Sequence, residues 1–401
     1  MSLPVQYPTA SLKPRREESL QGGHLWIFSG ALQQPPHWIE PGGLVDVKAA
    51  NGQFVARGYY NPQTDIAIRI LTRDREEAID EVFFRDRVRR ALALRQAFDP
   101  EQTSAYRLIH SEGDGLPGLI VDHYAGILVV QVHTRGMERL RSLLIDALRD
   151  ETGARGILLR NDSQSRRREG LEVEEPLAVS GDVPERIIVR ENGVRFLVDP
   201  WQGQKTGFFI DQRDKRAALR QYARDKRVLN CFSYTGGFSV YAALTDPGTR
   251  VTSVDVSAPA LEMARENFSL NGLDPDRHEF LIADVFDYLA QARRDGSLFD
   301  VVILDPPAFA RSQGARSQAL KAYRRLNTLG MQVLQPGGIL LTCSCSGVVH
   351  LDDLLGVLAQ AAQHVQRPVQ LLETCTHSLD HPINLAMPET GYLKAIFCRV
   401  G

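Results

Sequence analysis

The sequence predicts an α/β protein: a doubly wound, mostly parallel sheet in the C-terminal half, preceded by a small β unit and a small α+β domain. Three observations carry this. From about Val194 onward, strand-like apolar runs alternate with helical stretches, at Val228-Leu229, Val251–Val254, Glu279–Ile282, Val301–Leu304 and Ile339–Leu341. Up to about Leu71 the chain reads as short strands and turns, with no helical period. Finally, 401 residues leave room for two or three domains of ordinary size.

In chain order, Leu44–Val47 and Phe54–Tyr60 flank Asn51-Gly52. Asn-Gly between two such runs signals a hairpin, because both turn positions need positive φ. Ile66–Leu71 adds a strand, and residues 1–74 are taken as the first domain. Over Glu76–Phe98, Val82, Phe83, Val88, Leu92 and Leu94 recur at helical spacing with Arg on the other face, and Asp99-Pro100 closes the helix. Tyr106–Ser111, Gly118–Asp122, Ile127–His133 and Ile157–Arg160 read as strands, and Glu138–Leu148 as an amphipathic helix. Ser163–Gly170 is polar and expected to be mobile. These elements form a central domain over 75–190. Ile187–Arg190 and Val194–Val198 flank a second hairpin signal, Asn192-Gly193, and open the third domain, 191–401.

An apolar fraction of 43% with 24% charged residues is ordinary for a globular protein, and no apolar run approaches the roughly 20 residues of a membrane span. The first twenty residues lack the apolar core of a secretion signal, so a cytosolic, non-membrane protein is expected. Five cysteines in a long chain make no disulfide framework, and the Cys343-x-Cys345 spacing is not a zinc pattern; no metal is expected. A net charge of −2 argues against indiscriminate coating of nucleic acid but leaves room for local basic surface. Basic runs occur at Lys13–Arg16, Arg85–Arg90 and Arg166–Arg168; a solvated face is the simpler reading of each.

In doubly wound sheets, ligands bind beyond the carboxyl ends of the strands. The first strand runs into Asn230-Cys-Phe-Ser-Tyr-Thr-Gly-Gly-Phe-Ser239, where Gly236-Gly237 allows a tight turn close to a ligand. This is not G-x-G-x-x-G, which argues against a dinucleotide oxidoreductase. Asp255 follows the second strand, where a carboxylate accepts from ribose hydroxyls; capping the next helix is the alternative, unless Ser257 is the cap. Asp284 ends the third strand, placed to hold an adenine amine. Asp305-Pro306-Pro307 ends the fourth, and two prolines fix the backbone so that Asp305 is aimed rigidly. Upstream, Gln202–Arg213 is too rich in polar side chains for a simple connector, and Lys205 and Arg213 are candidates for the cofactor carboxylate or an RNA phosphate.

The series CFSYTGGFS, SVDVS, ADVF, VVILDPPAFARS and LLTCSCSG resembles the class I S-adenosylmethionine-dependent methyltransferases, with their Rossmann-like sheet. With GQKTGFFIDQR and Gly23–Phe28, the chain resembles further the bacterial large-subunit ribosomal RNA 5-methylcytosine methyltransferases. That resemblance spans essentially the whole chain. It implies an N-terminal PUA domain, a small RNA-binding barrel, over about the first 70 residues. It implies S-adenosylmethionine as cofactor, contacted by Lys205, Thr206, Phe208, Phe232, Ser233, Tyr234, Thr235, Gly236, Asp255, Val256, Asp284, Val285, Phe286 and Asp305. Ribosomal RNA is the implied partner, naked or in a subunit precursor, and a homodimer is left open.

Carbon 5 of cytosine is a poor nucleophile. One solution is a cysteine thiolate that adds to carbon 6, followed by removal of the carbon-5 proton. Such chemistry requires a base turned out of its stack. Cys343 and Cys345 follow the strand Ile339–Thr342 and point to one face. Cys345 lies nearer the loop and is expected to be the nucleophile, with Cys343 as packing or a second thiol; the reverse order stays open. Cys231 reads as structural, and Cys375 and Cys398 as core. Another group of RNA 5-methylcytosine enzymes carries Pro-Cys where this chain has Asp305-Pro306-Pro307, so the group that releases the product is open, with Asp305 one candidate. The same segment suggests an alternative, methylation of an exocyclic amine, which needs no thiol. A non-catalytic RNA-binding protein would leave both edges unexplained. Phe309 and Arg311, and Trp201 with Arg213, are placed to stack on and neutralise RNA; Trp26 and Phe28 are assigned to the barrel core.

Overall fold

The computed structural model describes residues 6–310 and 312–401. The chain forms two compact units. One holds the residues up to Val189 together with Val198–Ile210 and Leu379–Thr390; the other holds Arg190–Leu197, Asp211–Ser378 and Gly391–Gly401. The expected division at 191 is thus not one cut: two later stretches return to the first unit. No helix among the described residues is long and apolar enough to cross a membrane.

The first unit carries two five-stranded sheets. In the N-terminal one, Thr9–Ser11, Leu44–Lys48, Phe54–Tyr60, Ile66–Thr72 and Trp26–Phe28 lie in that order. The Asn51-Gly52 hairpin forms, but by another turn than expected. Lys48 pairs with Phe54, Ala49 donates its amide to Gln53 across the connection, and only Gly52 is left-handed, at φ 86°. A longer loop needs one positive φ rather than two. Trp26 is half-buried and donates its indole N–H to Glu112 at 2.9 Å, whereas Phe28 is 48% exposed and not core.

The second sheet runs Leu177–Gly181, Gly156–Leu159, Ile127–Val132, Leu119–Tyr124, Ala105–His110. Helices Glu81–Arg95 and Arg141–Thr152 cover it; the first is capped by Asp80, which accepts from the Phe83 amide at 3.1 Å. Ser163–Gly170, expected to be mobile, is a 3-10 turn held by buried charge. Arg166 is 1% exposed and donates to the Val132 and Glu172 carbonyls, and Glu169 is bonded by Asn61 at 2.7 Å and Arg69 at 2.6 Å. Composition misled here because the polar groups satisfy one another inside the fold.

In the second unit, seven strands form one sheet: β1 Arg227–Cys231, β2 Arg250–Asp255, β3 Glu279–Ile282, β4 Phe299–Leu304, β5 Leu334–Ser344, β6 Val369–Cys375 and β7 Lys394–Val400. Their order is β3-β2-β1-β4-β5-β7-β6. β1 to β5 pair in parallel and β7 is antiparallel to both its neighbours, so the sheet is mostly parallel, as the sequence rhythm predicts. Val301–Leu304 is wholly buried, which is why it reads as an unbroken apolar run rather than an alternating one. The helices are α1 Arg213–Ala223, α2 Gly237–Ala243, α3 Ala258–Leu270, α4 Val285–Arg294, α5 Arg316–Gln332 and α6 Leu351–Val365. Ser257, not Asp255, caps α3 through the Ala260 amide at 3.3 Å. The core joins β1, β4, β5 and β7 to the inner faces of α4, α5 and α6.

β6 and β7 escaped the sequence reading. β6 is an edge strand with Leu371 and Leu372 exposed, so it lacks a buried face to read. Cys375, on it, is half-buried and donates to Glu373 at 3.3 Å, and is therefore not core; Cys398, on β7, is core.

Candidate active site

Register fixes where the site lies. Cys231 pairs with Val254 and with Leu304, Asp255 with Ile282, and Leu304 with Thr342. The C-terminal ends of β1 to β5 are therefore level. Everything that closes or follows them, the 232–236 loop, Asp255-Val256, Asp284, Asp305 and Cys343–Cys345, lies along one edge of the sheet.

The loop after β1 is conformationally costly. Phe232, Tyr234 and Gly236 alternate in the left-handed region, at φ 59°, 47° and 77°. Aromatic side chains seldom adopt this backbone, and such strain persists where surrounding structure enforces it. At Gly236 an added Cβ would also lie 2.9 Å from that of Ala264. The enforcing bond is visible: Asp255 accepts from the Tyr234 amide at 2.8 Å and from the Ser257 amide at 2.9 Å. Asp255 thus ties the loop to the second strand end. Ser233 is buried, and its hydroxyl has no hydrogen-bond partner among the described residues. Thr235 is buried, with its carbonyl taken by Asn267 at 2.9 Å.

Asp284 caps α4 through one carboxylate oxygen, accepting from Phe286 and Asp287 amides at 2.8 and 3.2 Å. Val256 and Ile282, 69% and 65% exposed, stand beside these two aspartates as bare apolar side chains. The first was anticipated and the second was not. Val285 is buried in the core, so its side chain is unavailable to a ligand; following a cap residue, it occupies the inward first turn of α4. Phe286 is partly buried with Arg325 5.0 Å over its ring.

Asp305 follows β4, and Gln212 donates to its carboxylate at 2.9 Å. Cys343 is fully buried. Burial pushes its thiol well up, and the nearby Asp305 charge pushes further, against smaller pulls from Lys215 and a Gln212 hydrogen bond. Cys345 is only half-buried. Antiparallel pairing of Ser344 with Lys394 brings the Lys394 ammonium to the same strand end. That ammonium, 7% exposed, is held by the Ser346 and Tyr392 carbonyls at 2.7 and 2.8 Å. Burial lowers its pKa to about 8, with the Cys345 charge the first of the effects that raise it. Gln212, Lys215 and Lys394 were missed by sequence reasoning. Gln212 lies in the Gln202–Arg213 segment, where Lys205 and Arg213 were singled out instead; Lys215 lies in an ordinary-looking helix start and Lys394 on an unrecognised strand.

Arg213 and Phe309 are placed differently from what was expected. Arg213 is 1% exposed beside the buried Glu191, at 3.8 Å, and cannot meet RNA. Glu191 is bridged by Arg216 at 2.7 and 2.6 Å, so this arginine cluster neutralises a buried carboxylate. Phe309 packs inward against Tyr323, ring centroids 4.7 Å apart, and Phe286, at 6.3 Å. Arg311 lies outside the described residues. Lys205, Thr206, Phe208 and Trp201 belong to the first unit. There Lys205 is exposed, left-handed at φ 55° and 4.4 Å over Phe209. The Thr206 hydroxyl is spent on Asp122 at 2.5 Å and Tyr124 at 2.9 Å, and Phe208 is buried. Trp201 donates its indole N–H to the Pro184 carbonyl at 3.2 Å.

Residues 107–384 match the family of S-adenosylmethionine-dependent methyltransferases, and residues 11–73 match the PUA-like domain. The chain belongs to the S-adenosylmethionine-dependent methyltransferase family. Among its relatives, "Ribosomal RNA large subunit methyltransferase I" of Shewanella denitrificans is 44% identical over 392 residues, covering 97% of this chain and 98% of that protein. The protein of the same name from Klebsiella pneumoniae is 41% identical, covering 98% of each. In fold the chain resembles SMU.776, solved as a complex with SAH, at TM-score 0.86 and 24% identity, over 98% of this chain and 100% of that one.

S-adenosylmethionine is the methyl donor of this methyltransferase family. The strand edge suits it. Two carboxylates at successive strand ends could accept from the ribose and adenine of a nucleoside, Val256 and Ile282 offer apolar surface for a flat base, and the buried Ser233 hydroxyl has no hydrogen-bond partner among the described residues.

Proposed function

We propose that this methyltransferase acts on carbon 5 of a cytosine in large-subunit ribosomal RNA, through a covalent adduct of Cys345. The observation that carries this reading is the contrast between two thiols on one strand end. Cys343 is sealed and its thiolate is disfavoured, whereas Cys345 is half-exposed and shares its strand end with the buried Lys394 ammonium. A nearby cation favours the thiolate, which is the nucleophilic form.

In this reading the Cys345 thiolate adds to carbon 6 of the flipped base, and the displaced electron pair makes carbon 5 nucleophilic. When bound, S-adenosylmethionine would supply an electrophilic methyl group to carbon 5, its methyl–sulfur bond breaking to leave S-adenosylhomocysteine. The Asp305 carboxylate, oriented by Gln212, then accepts the carbon-5 proton, and the carbon–sulfur bond breaks to return the thiolate. Ribosomal RNA as substrate draws support from the names of the relatives and from the PUA-like match at residues 11–73.

The test is to incubate the full chain with S-adenosylmethionine and large-subunit RNA transcribed with 5-fluorocytidine. Fluorine cannot leave as a proton does, so the adduct persists. A covalent protein–RNA species whose modified peptide contains Cys345, lost in Cys345→Ala, is expected. Undiminished methyl transfer by Cys345→Ala, with the methyl on the exocyclic amine, would overturn the reading in favour of amine methylation at the Asp305-Pro306-Pro307 edge.

A further inference from the structure

Helices α4, α5 and α6 lie side by side and enclose a groove of about 670 Å³ on their outer surface. Its walls carry Arg293 from α4, Lys321, Arg324 and Arg325 from α5, and Gln360 and His364 from α6. α5 contains no Asp or Glu in 17 residues; the acids of α4 and α6 are confined to their first turns, at Asp287, Asp352 and Asp353.

Acids and bases are nearly balanced over the whole chain, at 49 and 47, and most buried or half-buried arginines are paired. On α5 itself, Arg316 is bonded to Asp353. Further along the same helix the pairing stops. Among the described residues, no carboxylate lies within ion-pair distance of Arg293, Lys321, Arg324 or Arg325. Arg324 reaches only the Gln360 amide oxygen at 3.4 Å, and Arg325 only the Phe286 ring. Concentrating unpaired cations in one groove costs self-repulsion, which an anionic occupant relieves.

The placement limits the occupant further. Each crossover helix runs back against the strand it follows, so Arg293 and His364, in the last turns of α4 and α6, lie toward the end of the sheet away from the thiols. Lys321 to Gln332 on α5 make a stripe about 16 Å long, at 1.5 Å per residue. A small anion would meet one end of it. An extended polyanion would meet it all, and flexible cations with interspersed amides position phosphates without reading bases.

We propose that this groove binds the phosphate backbone of the RNA substrate at a distance from the methylated base. The proposal rests on RNA being the substrate, as read above. The test uses the full chain and deproteinised large-subunit ribosomal RNA, with affinity measured from low to moderate salt for the wild type and for the triple variant Arg293→Gln, Lys321→Gln, Arg324→Gln. Each lost phosphate contact lowers the slope of log affinity against log salt by about 0.7 to 0.9. A slope reduced by about 2 to 3 is therefore expected, with KM for RNA raised about tenfold or more and kcat and cofactor affinity unchanged. The paired control Arg224→Gln should alter none of these. A triple variant with wild-type slope and KM overturns the proposal and points instead to an acidic protein partner. Failure of the underlying reading looks different: the unaltered chain then neither binds nor methylates the RNA.

Discussion

At the scale of single residues, the account turns on two cysteines two positions apart. Their types and spacing were legible in the sequence, and so was the face they share. Cys345 was preferred only for its place nearer the loop; the surroundings that set the two apart, the burial of Cys343, the Asp305 charge beside it and the Lys394 ammonium that β7 brings to the strand end, come from other elements and were not legible. Replacing Cys343 by Ala should leave methyl transfer measurable, whereas Cys345→Ala should abolish it; radiolabel transfer from S-adenosylmethionine to RNA separates the two. Lys394 gives a prediction with a sign. Its pKa of about 8 means the ammonium is present below pH 8 and is lost as pH rises through that value. The support it gives the Cys345 thiolate should therefore fade above about pH 8. In Lys394→Gln that support is absent at every pH, so alkylation of Cys345 by iodoacetamide should shift to higher pH by about one unit or more. An unchanged alkylation profile would remove Lys394 from the mechanism.

At the scale of elements, the wholly buried run Val301–Leu304 was easy to read, and so was the Asn192-Gly193 turn, whose two residues are both left-handed at φ 49° and 79°. β6 and β7 were not, because β6 exposes Leu371 and Leu372 and pairs only with β7, whose partner β5 is distant in sequence; the other edge strand, β3, was read. Nor was burial of polar residues: Arg213 was read as reaching RNA, yet it and Arg216 converge on Glu191 at the end of the hairpin strand Ile187–Glu191. Removing that one carboxylate takes away a partner shared by two buried guanidinium groups. Glu191→Gln should thus destabilise the protein by about 3–5 kcal/mol, read by chemical denaturation. In the 232–236 loop, Gly236→Ala meets both a left-handed φ and the Ala264 side chain. Its affinity for S-adenosylhomocysteine should fall by tenfold or more in calorimetry, with a smaller loss of stability.

At the scale of the whole molecule, the sheet order places five strand ends level, and this makes one site from motifs spread between residues 232 and 345. The order of those motifs was readable because each follows a strand. The two-unit division was not, since stretches 198–210 and 379–390 rejoin the first unit after the chain has already entered the second. If the strand edge is where the cofactor binds, S-adenosylhomocysteine at about 100 times its Kd should stabilise the fold by about 2.7 kcal/mol, and Asp255→Ala should erase that gain in a thermal shift assay. The central claim, covalent methylation of cytosine carbon 5 by Cys345, is tested most directly by mass spectrometry of nucleosides from large-subunit ribosomal RNA. The RNA is taken from cells lacking the protein and from the same cells supplied with the wild type or with Cys345→Ala. The account predicts one 5-methylcytosine, missing without the protein, restored by the wild type and not by Cys345→Ala; restoration by the variant, or a methyl group on the exocyclic nitrogen, would contradict it.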